Sequence, residues 1–191
     1  MTQPLTMVIA HASSSVVLDC LRSLHLHGWP CEKFDAVDGN KVDQNVWQSI
    51  GVRVLQRGKM PRRPGAQGCW ISHFLLWQRC RDTQEPLVIL EHDALVTAAW
   101  SYLDFSHALV KLYAPTGCKT NDITGMWSRG SHAYTITPQQ ASLLIDHAQQ
   151  HGAQALDKHL GDRVVPWRFL EWDLVRLNPR RERSTTSRIR I

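Results

Sequence analysis

The most constraining feature of the sequence is a short run, residues 87–90, that is apolar at every position and lies between Pro86 and the polar triplet Glu91-His92-Asp93. In a strand with one solvent-facing side, apolar and polar residues alternate. A run without polar positions instead indicates a strand covered on both faces, as in a parallel sheet. Residues 5–10 also read as a buried strand, and apolar residues at helical spacing follow over residues 16–27. These patterns predict an α/β protein.

The alternation of strand and helix continues along the chain. We expect strands at residues 31–37, 109–114 and 133–137, and helices at 42–50, at 69–81 and from Pro138 to about 151. A chain of 191 residues favours one core over two. The prediction is therefore a single-domain open sheet flanked by helices, in which ligands bind beyond the carboxyl ends of the strands.

Composition excludes several classes of protein. With 43% hydrophobic and 20% charged residues, the chain is neither disordered nor of low complexity. The five cysteines form no C-x-x-C pair, which argues against a disulfide framework or a zinc ribbon. Residues 1–18 have no basic start and no apolar stretch long enough for a signal peptide or a membrane span. We therefore expect a cytoplasmic protein without a transmembrane segment, with peripheral attachment to a membrane left open.

The net charge of +5 is concentrated near the C-terminus, where six arginines follow residue 175. A basic segment of this kind is either a solvated end or a binding site for an anion. The candidate anions are nucleotide phosphate, an anionic glycan or other polyanionic acceptor, a membrane surface and nucleic acid, of which nucleic acid is not favoured. We interpret residues 176–191 as a basic C-terminal tail.

The triplet after the apolar run is the first candidate site. In an extended segment residues i and i+2 project to the same side, so Glu91 and Asp93 would present two carboxylates together while His92 points away. Two oxygen donors with open positions suit Mg²⁺ or Mn²⁺ in a phosphate-handling site. The alternative is an acidic strand end that caps the next helix.

The triplet belongs to one of four segments that follow one another along the chain. They are Ala36-Val37-Asp38-Gly39, Pro64-Gly65-Ala66-Gln67-Gly68-Cys69-Trp70-Ile71-Ser72-His73, Leu90-Glu91-His92-Asp93 and Gly130-Ser131-His132-Ala133-Tyr134-Thr135-Ile136. Together they cover roughly residues 30–160. In this order the chain resembles glycosyltransferase family 25, which comprises sugar transferases of the lipopolysaccharide and collagen type.

The resemblance implies a GT-A-like fold over residues 1–175, a UDP-sugar donor and a divalent cation, usually Mn²⁺, with Mg²⁺ as the substitute. It implies Asp93, Glu91 and His92 as the metal-binding residues. His92 stands where the family has an acid, although an imidazole can also bind Mn²⁺. The cation would stabilise the negative charge of the departing diphosphate.

The remaining candidates are donor-binding and catalytic residues. Asp38, Gly39, Ser72, His73 and Glu91 lie in the matched segments and are expected to contact or shape the donor site. Packing is the alternative for His73. In the tail, Arg188 is expected to bind donor phosphate through its guanidinium group.

Asp157 is expected to take the proton from the acceptor hydroxyl if the reaction inverts the anomeric centre. The alternatives are a polar residue in a surface turn for Asp157 and a late metal ligand for its neighbour His159.

The function predicted from the sequence is the metal-assisted transfer of a hexose from a UDP-sugar to a saccharide acceptor of the lipopolysaccharide kind. Two alternatives stay open. The same fold could act on a nucleobase or a protein side chain, or it could be a non-catalytic nucleotide-sugar-binding protein that lost its metal through His92.

Overall fold

The computed structural model describes residues 3–55, 63–101, 103–114, 117–170 and 172–180. The described helices are α1 (Val17–Leu26), α2 (Gln44–Ser49), α3 (Pro64–Thr83), α4 (Pro138–His151) and α5 (Leu156–His159). The described strands are β1 (Leu5–Ala10), β2 (Cys31–Asp35), β3 (Leu87–Glu91), β4 (Ala94–Val96), β5 (Leu109–Lys111), β6 (Cys118–Asn121), β7 (Gly125–Ser128), β8 (Ala133–Ile136), β9 (Trp167–Phe169) and β10 (Val175–Leu177). A 3₁₀ turn at Gly39–Lys41 separates β2 from α2.

Six of these strands form the central sheet, in the order β2-β1-β3-β8-β5-β9. Strand β1 pairs in parallel with both β2 and β3, and β5 pairs in parallel with β9. Strand β8 runs antiparallel to its neighbours β3 and β5. The predicted open α/β sheet flanked by helices is thus confirmed, but the expectation of parallel partners for β3 is right only on its β1 side.

The two long helices after the first βαβ unit begin at prolines. Pro138 lies in the first turn of α4, where the Thr137 side chain accepts a hydrogen bond from the Gln140 backbone and the Gln140 side chain accepts one from Thr137. Helix α3 begins at Pro64, five residues before the predicted start, because Pro64 is itself suited to the first turn. It ends at Gln84, which adopts a left-handed conformation with φ 57°.

The sheet is covered by an apolar cluster on each face. Helices α3 and α4 lie on one face, where α3 contributes the fully buried Trp70, Phe74 and Trp77. Helix α1 covers the other face together with β4 and β10, which form a separate two-stranded sheet. Because both faces are covered, all four residues of β8 and the first four of β3 are buried.

Several short elements were absent from the sequence prediction. They are β4, β6, β7, β9, β10 and α5, none longer than four residues. Residues 57–64 form a basic segment that contains two prolines, and only residues 63 and 64 of it lie within the described ranges. Within the described ranges, no helix combines the length and the apolar character needed to span a membrane.

Candidate active site

The candidate site lies at the edge of the sheet where β3 and β5 end. Because β8 runs in the opposite direction, the segment that precedes it reaches the same edge, and Ser131 comes to lie beside Glu91. The amino-terminal half of α3 passes over this edge and contributes His73. An open sheet binds ligands at such an edge, as the sequence analysis expected.

Glu91 is the last residue of β3, and its side chain is 23% exposed. Its Oε1 accepts a hydrogen bond of 2.8 Å from Ser131 Oγ and lies 3.6 Å from His73 Nε2. Burial alone would raise the pKa of Glu91, but His73, Ser131 and His132 outweigh burial and hold that pKa well below its usual value. The carboxylate is therefore ionised at neutral pH.

His73 lies in α3 and is fully buried, and hydrogen bonds among aromatic side chains fix its ring. Its Nδ1 lies 2.7 Å from the Tyr134 hydroxyl, and Trp77 Nε1 donates to the same hydroxyl at 2.9 Å. Among the described residues its Nε2 has no hydrogen-bond partner, and it faces Glu91. Burial raises the pKa of Tyr134 well above its usual value, so the hydroxyl keeps its proton. The ring of His73 is thus fixed by a hydrogen bond on one side and faces the Glu91 carboxylate on the other.

Cys69 completes this cluster, and sequence reasoning missed it. Its Sγ, a His73 ring nitrogen and a Glu91 oxygen all lie within 4.8 Å of one another. Burial raises the pKa of the Cys69 thiol well above its usual value, and the charges of Glu91, Asp93 and Asp157 act in the same direction. The available signal was the spacing of four residues between Cys69 and His73, which places both on one side of a helix.

The segment after Glu91 is not extended. Strand β3 ends at Glu91 and β4 begins at Ala94, with a turn at His92 and Asp93 between them. Strand alternation therefore does not extend to Asp93, because it ends where the chain turns, and the expectation that Glu91 and Asp93 project to the same side stays a prediction. His92 Nδ1 lies 2.7 Å from Ser14 Oγ, and Asp93 is buried. Their roles in metal binding stay predictions.

The segment 36–39 is fastened to α3. The Ser72 hydroxyl donates to the Gly68 carbonyl at 2.7 Å and accepts from the Val37 backbone at 2.9 Å, so it is engaged with backbone on both sides. A Cβ on Gly39 would lie 1.7 Å from the Pro64 carbonyl oxygen, and one on Gly68 would lie 2.3 Å from the Val37 carbonyl oxygen. These two glycines therefore serve close backbone approach.

Asp38 remains exposed at the start of the 3₁₀ turn, where its carboxylate accepts a hydrogen bond from the Asn40 backbone. That hydrogen bond is the main reason why the pKa of Asp38 is lowered. Donor contacts by Asp38, Gly39, Ser72 and His73 stay predictions. Arg188 lies outside the described residues, whose last arginine, Arg180, pairs with Asp19 of α1.

A buried lysine lies near the predicted catalytic Asp157. The Lys111 ammonium donates to Ser128 Oγ at 2.6 Å and lies 4.6 Å from the centre of the Trp167 ring. Burial lowers the pKa of Lys111 to about 8, although the charge of Asp157 opposes this shift. Burial also raises the pKa of Asp157, against the attraction of Lys111 and Lys158. Sequence reasoning missed Lys111, although it is the one charged residue in an apolar strand.

Asp157 lies in the short helix α5 and is partly buried. His159, the predicted alternative metal ligand, packs in the core, and its role as a ligand stays a prediction. His159 is fully buried, its ring stacks on Trp77, and its Nε2 lies 3.0 Å from the Leu144 carbonyl oxygen.

Comparison with known proteins gives a match to one family and relatives that align with only part of this chain. Residues 20–114 match the sequence model of glycosyltransferase family 25, described as LPS biosynthesis protein. The chain is 33% identical over 79 residues to a glycosyltransferase 25 family member of Anopheles gambiae, a match that covers 38% of this chain and 13% of that protein. A glycosyltransferase 25 family member of Aedes aegypti is 33% identical over 72 residues, which cover 35% of this chain and 12% of that protein.

Solved structures with similar backbones include the glycosyltransferase GlyE of Streptococcus pneumoniae TIGR4, with a TM-score of 0.49, 12% identity and coverage of 90% of this chain and 46% of that chain. The apo form of GlyE gives a TM-score of 0.47 at 12% identity, with coverage of 83% and 41%. The chain thus spans a small part of the curated relatives and less than half of these solved chains.

Proposed function

The chain belongs to glycosyltransferase family 25 through residues 20–114, and from this premise we propose that it transfers a hexose from a UDP-sugar to a saccharide acceptor with a divalent cation. The observation that carries the proposal is Glu91. It is an ionised, partly exposed carboxylate at the carboxyl end of a central strand, fixed by Ser131 and facing His73. Such an edge of an open sheet is where nucleotide ligands bind.

The residues at this edge fit a hard divalent cation. Glu91 and Asp93 offer carboxylate oxygens, which Mn²⁺ and Mg²⁺ prefer. Ser14 engages only Nδ1 of His92, so the other ring nitrogen can also serve as a ligand. When bound, the cation would supply Lewis-acid stabilisation of the negative charge on the leaving diphosphate.

Asp157 is the proposed proton acceptor for the acceptor hydroxyl. Burial raises its pKa, and a carboxylate with a raised pKa is a stronger base than a solvated one. Lys111 limits this shift because its positive charge favours the ionised carboxylate. The neighbouring charges therefore keep the carboxylate of Asp157 available as a base while burial strengthens it.

One observation favours a second candidate function. His92 replaces the acid expected in the middle of the triplet and shares a hydrogen bond with Ser14. If the metal site is too weak to support transfer, the chain would bind a nucleotide sugar without transferring it.

The test is thermal unfolding with a panel of UDP-sugars, with and without Mn²⁺, combined with an assay for released UDP. A ligand at a hundred times its Kd stabilises the native state by about 2.7 kcal/mol. For a domain of this size that corresponds to a rise in Tm of roughly 5–10 °C. We expect this rise for one UDP-sugar, and we expect it to require Mn²⁺.

The variant Asp93→Asn should lose the Mn²⁺-dependent part of the stabilisation. Asp35→Asn is the matched control, since Asp35 is an exposed carboxylate on β2. Stabilisation with UDP release supports the transferase, and stabilisation without release supports the binding protein. If no UDP-sugar raises the Tm under either condition, both functions are wrong.

A further inference from the structure

Three potential metal ligands converge beside the proposed donor site. Cys69 and His73 come from successive turns of α3, and Glu91 comes from the end of β3. One ligand atom from each lies within 4.8 Å of the other two. The three atoms are therefore close enough to approach a single ion.

The separation of His73 and Glu91 is informative. Nε2 and Oε1 lie 3.6 Å apart, which is too long for a hydrogen bond. In a tetrahedral zinc site, with zinc to nitrogen and zinc to oxygen bonds of about 2.1 Å, the two ligand atoms lie about 3.4 Å apart. The observed distance is compatible with two atoms that bind one ion between them.

The surroundings of His73 are those of a metal ligand. Its Nε2 is fully buried, points at Glu91 and makes no hydrogen bond within the part of the chain that the structure describes. Its Nδ1 is held by the Tyr134 hydroxyl, which Trp77 holds in turn. Histidine ligands commonly have their second nitrogen fixed in this way, because the outer hydrogen bond orients the ring. Ser131 does the same for Glu91.

From these contacts we propose that Cys69, His73 and Glu91 bind zinc. A thiolate and an imidazole with one carboxylate suit Zn²⁺, whereas Mn²⁺ and Mg²⁺ prefer all-oxygen surroundings. Three protein ligands leave a fourth position for water. The site is distinct in chemistry from the hard-cation site, although both use Glu91, and it does not depend on transferase activity.

The test uses the full-length protein without an affinity tag, kept reduced and titrated with Co²⁺ as a spectroscopic substitute for zinc. We expect one equivalent to bind with a thiolate-to-cobalt charge-transfer band, and we expect zinc to displace it. Cys69→Ser should abolish the band. Cys31→Ser is the matched control because Cys31 is exposed on β2. Tyr134→Phe should weaken zinc binding by roughly 10–100-fold in competition with a chromophoric chelator.

Two results would overturn the proposal. One is wild-type protein that shows no thiolate-to-cobalt band at stoichiometric metal, which would leave His73 and Glu91 as a simple ion pair. The other is a Cys69→Ser variant that binds zinc as tightly as the wild type. Asp93→Asn separates this site from the proposed function, because it should keep the cobalt band while it loses Mn²⁺-dependent stabilisation.

Discussion

Replacing Lys111 with methionine tests whether burial of the charged Lys111 ammonium lowers the free energy of unfolding. Its partners are Ser128 Oγ and the rings of Trp167 and Phe169, and the residue is fully buried. Burial lowers its pKa from 10.5 to about 8. In the unfolded chain the ordinary value is restored. Between these two pH values, the unfolded chain holds a proton that the native protein has released.

The sign follows from proton linkage. When the unfolded state binds more protons, the free energy of unfolding rises with pH, by about 1.4 kcal/mol per pH unit for one proton. Over the interval from pH 8 to pH 10.5 the wild type should therefore gain about 3 kcal/mol from this residue. Lys111→Met lacks the group and lacks this gain. Below pH 8 the lysine is charged in both states, so its contribution is constant.

The measurement is urea unfolding of both proteins at pH 7 and pH 10. The difference in unfolding free energy, wild type minus Lys111→Met, should be about 2–3 kcal/mol larger at pH 10. Other titrating groups cancel in this comparison, as do packing changes that do not depend on pH. Lys33→Met is the matched control, since Lys33 is exposed on β2. A difference that stays constant between the two pH values would refute the reasoning.

Three further predictions concern neighbouring groups. Tyr134→Phe should lower the unfolding free energy by about 2–4 kcal/mol, because His73 and Trp77 each lose a buried partner; urea unfolding equal to wild type would contradict this. Asp157→Asn should lower turnover roughly 10²–10⁴-fold while the affinity for UDP is retained. In the wild type, burial raises the pKa of Asp157, so kcat/KM should begin to fall at a higher pH on acidification than it would for a solvated aspartate. Truncation after Pro179 should weaken UDP binding in calorimetry; unchanged UDP affinity with a raised acceptor KM would assign the tail to the acceptor, and no change would make it a solvated end.

The sequence predicts the long elements of this fold and misses the short ones for a physical reason. Helical spacing shows in a window of about eleven or more residues, and Pro138 marks the start of α4 locally. Strands β4, β9 and β10 have three residues each, too few to show a period. The pattern of apolar residues also does not indicate whether a strand runs parallel or antiparallel to its neighbours. Strand β8 is buried at all four positions and reads like a parallel strand, yet it runs antiparallel.

In the candidate site, too, the sequence predicts the residues that have a local signal and misses those that are defined by long-range contacts. Glu91 was predictable because a polar residue that ends an apolar strand is a local signal. Cys69 and Lys111 were not, because their significance lies in contacts between distant parts of the chain. Pairing Glu91 with Asp93 by strand alternation assumed that the strand continues, whereas the chain turns at residues 92–93, and such a turn leaves no mark in a period of two.

The reversed direction of β8 explains how the site is assembled. Tyr134 lies opposite Ile89 of β3 on one side and opposite Lys111 of β5 on the other. Directly opposed residues project from the same face of a sheet, so Tyr134 and Lys111 are neighbours beneath α3 and α5. Had β8 run parallel to β3, Ser131 would lie at the far edge of the sheet and could not donate to Glu91. A single antiparallel strand thus joins the carboxylate, the buried histidine and the buried lysine into one site.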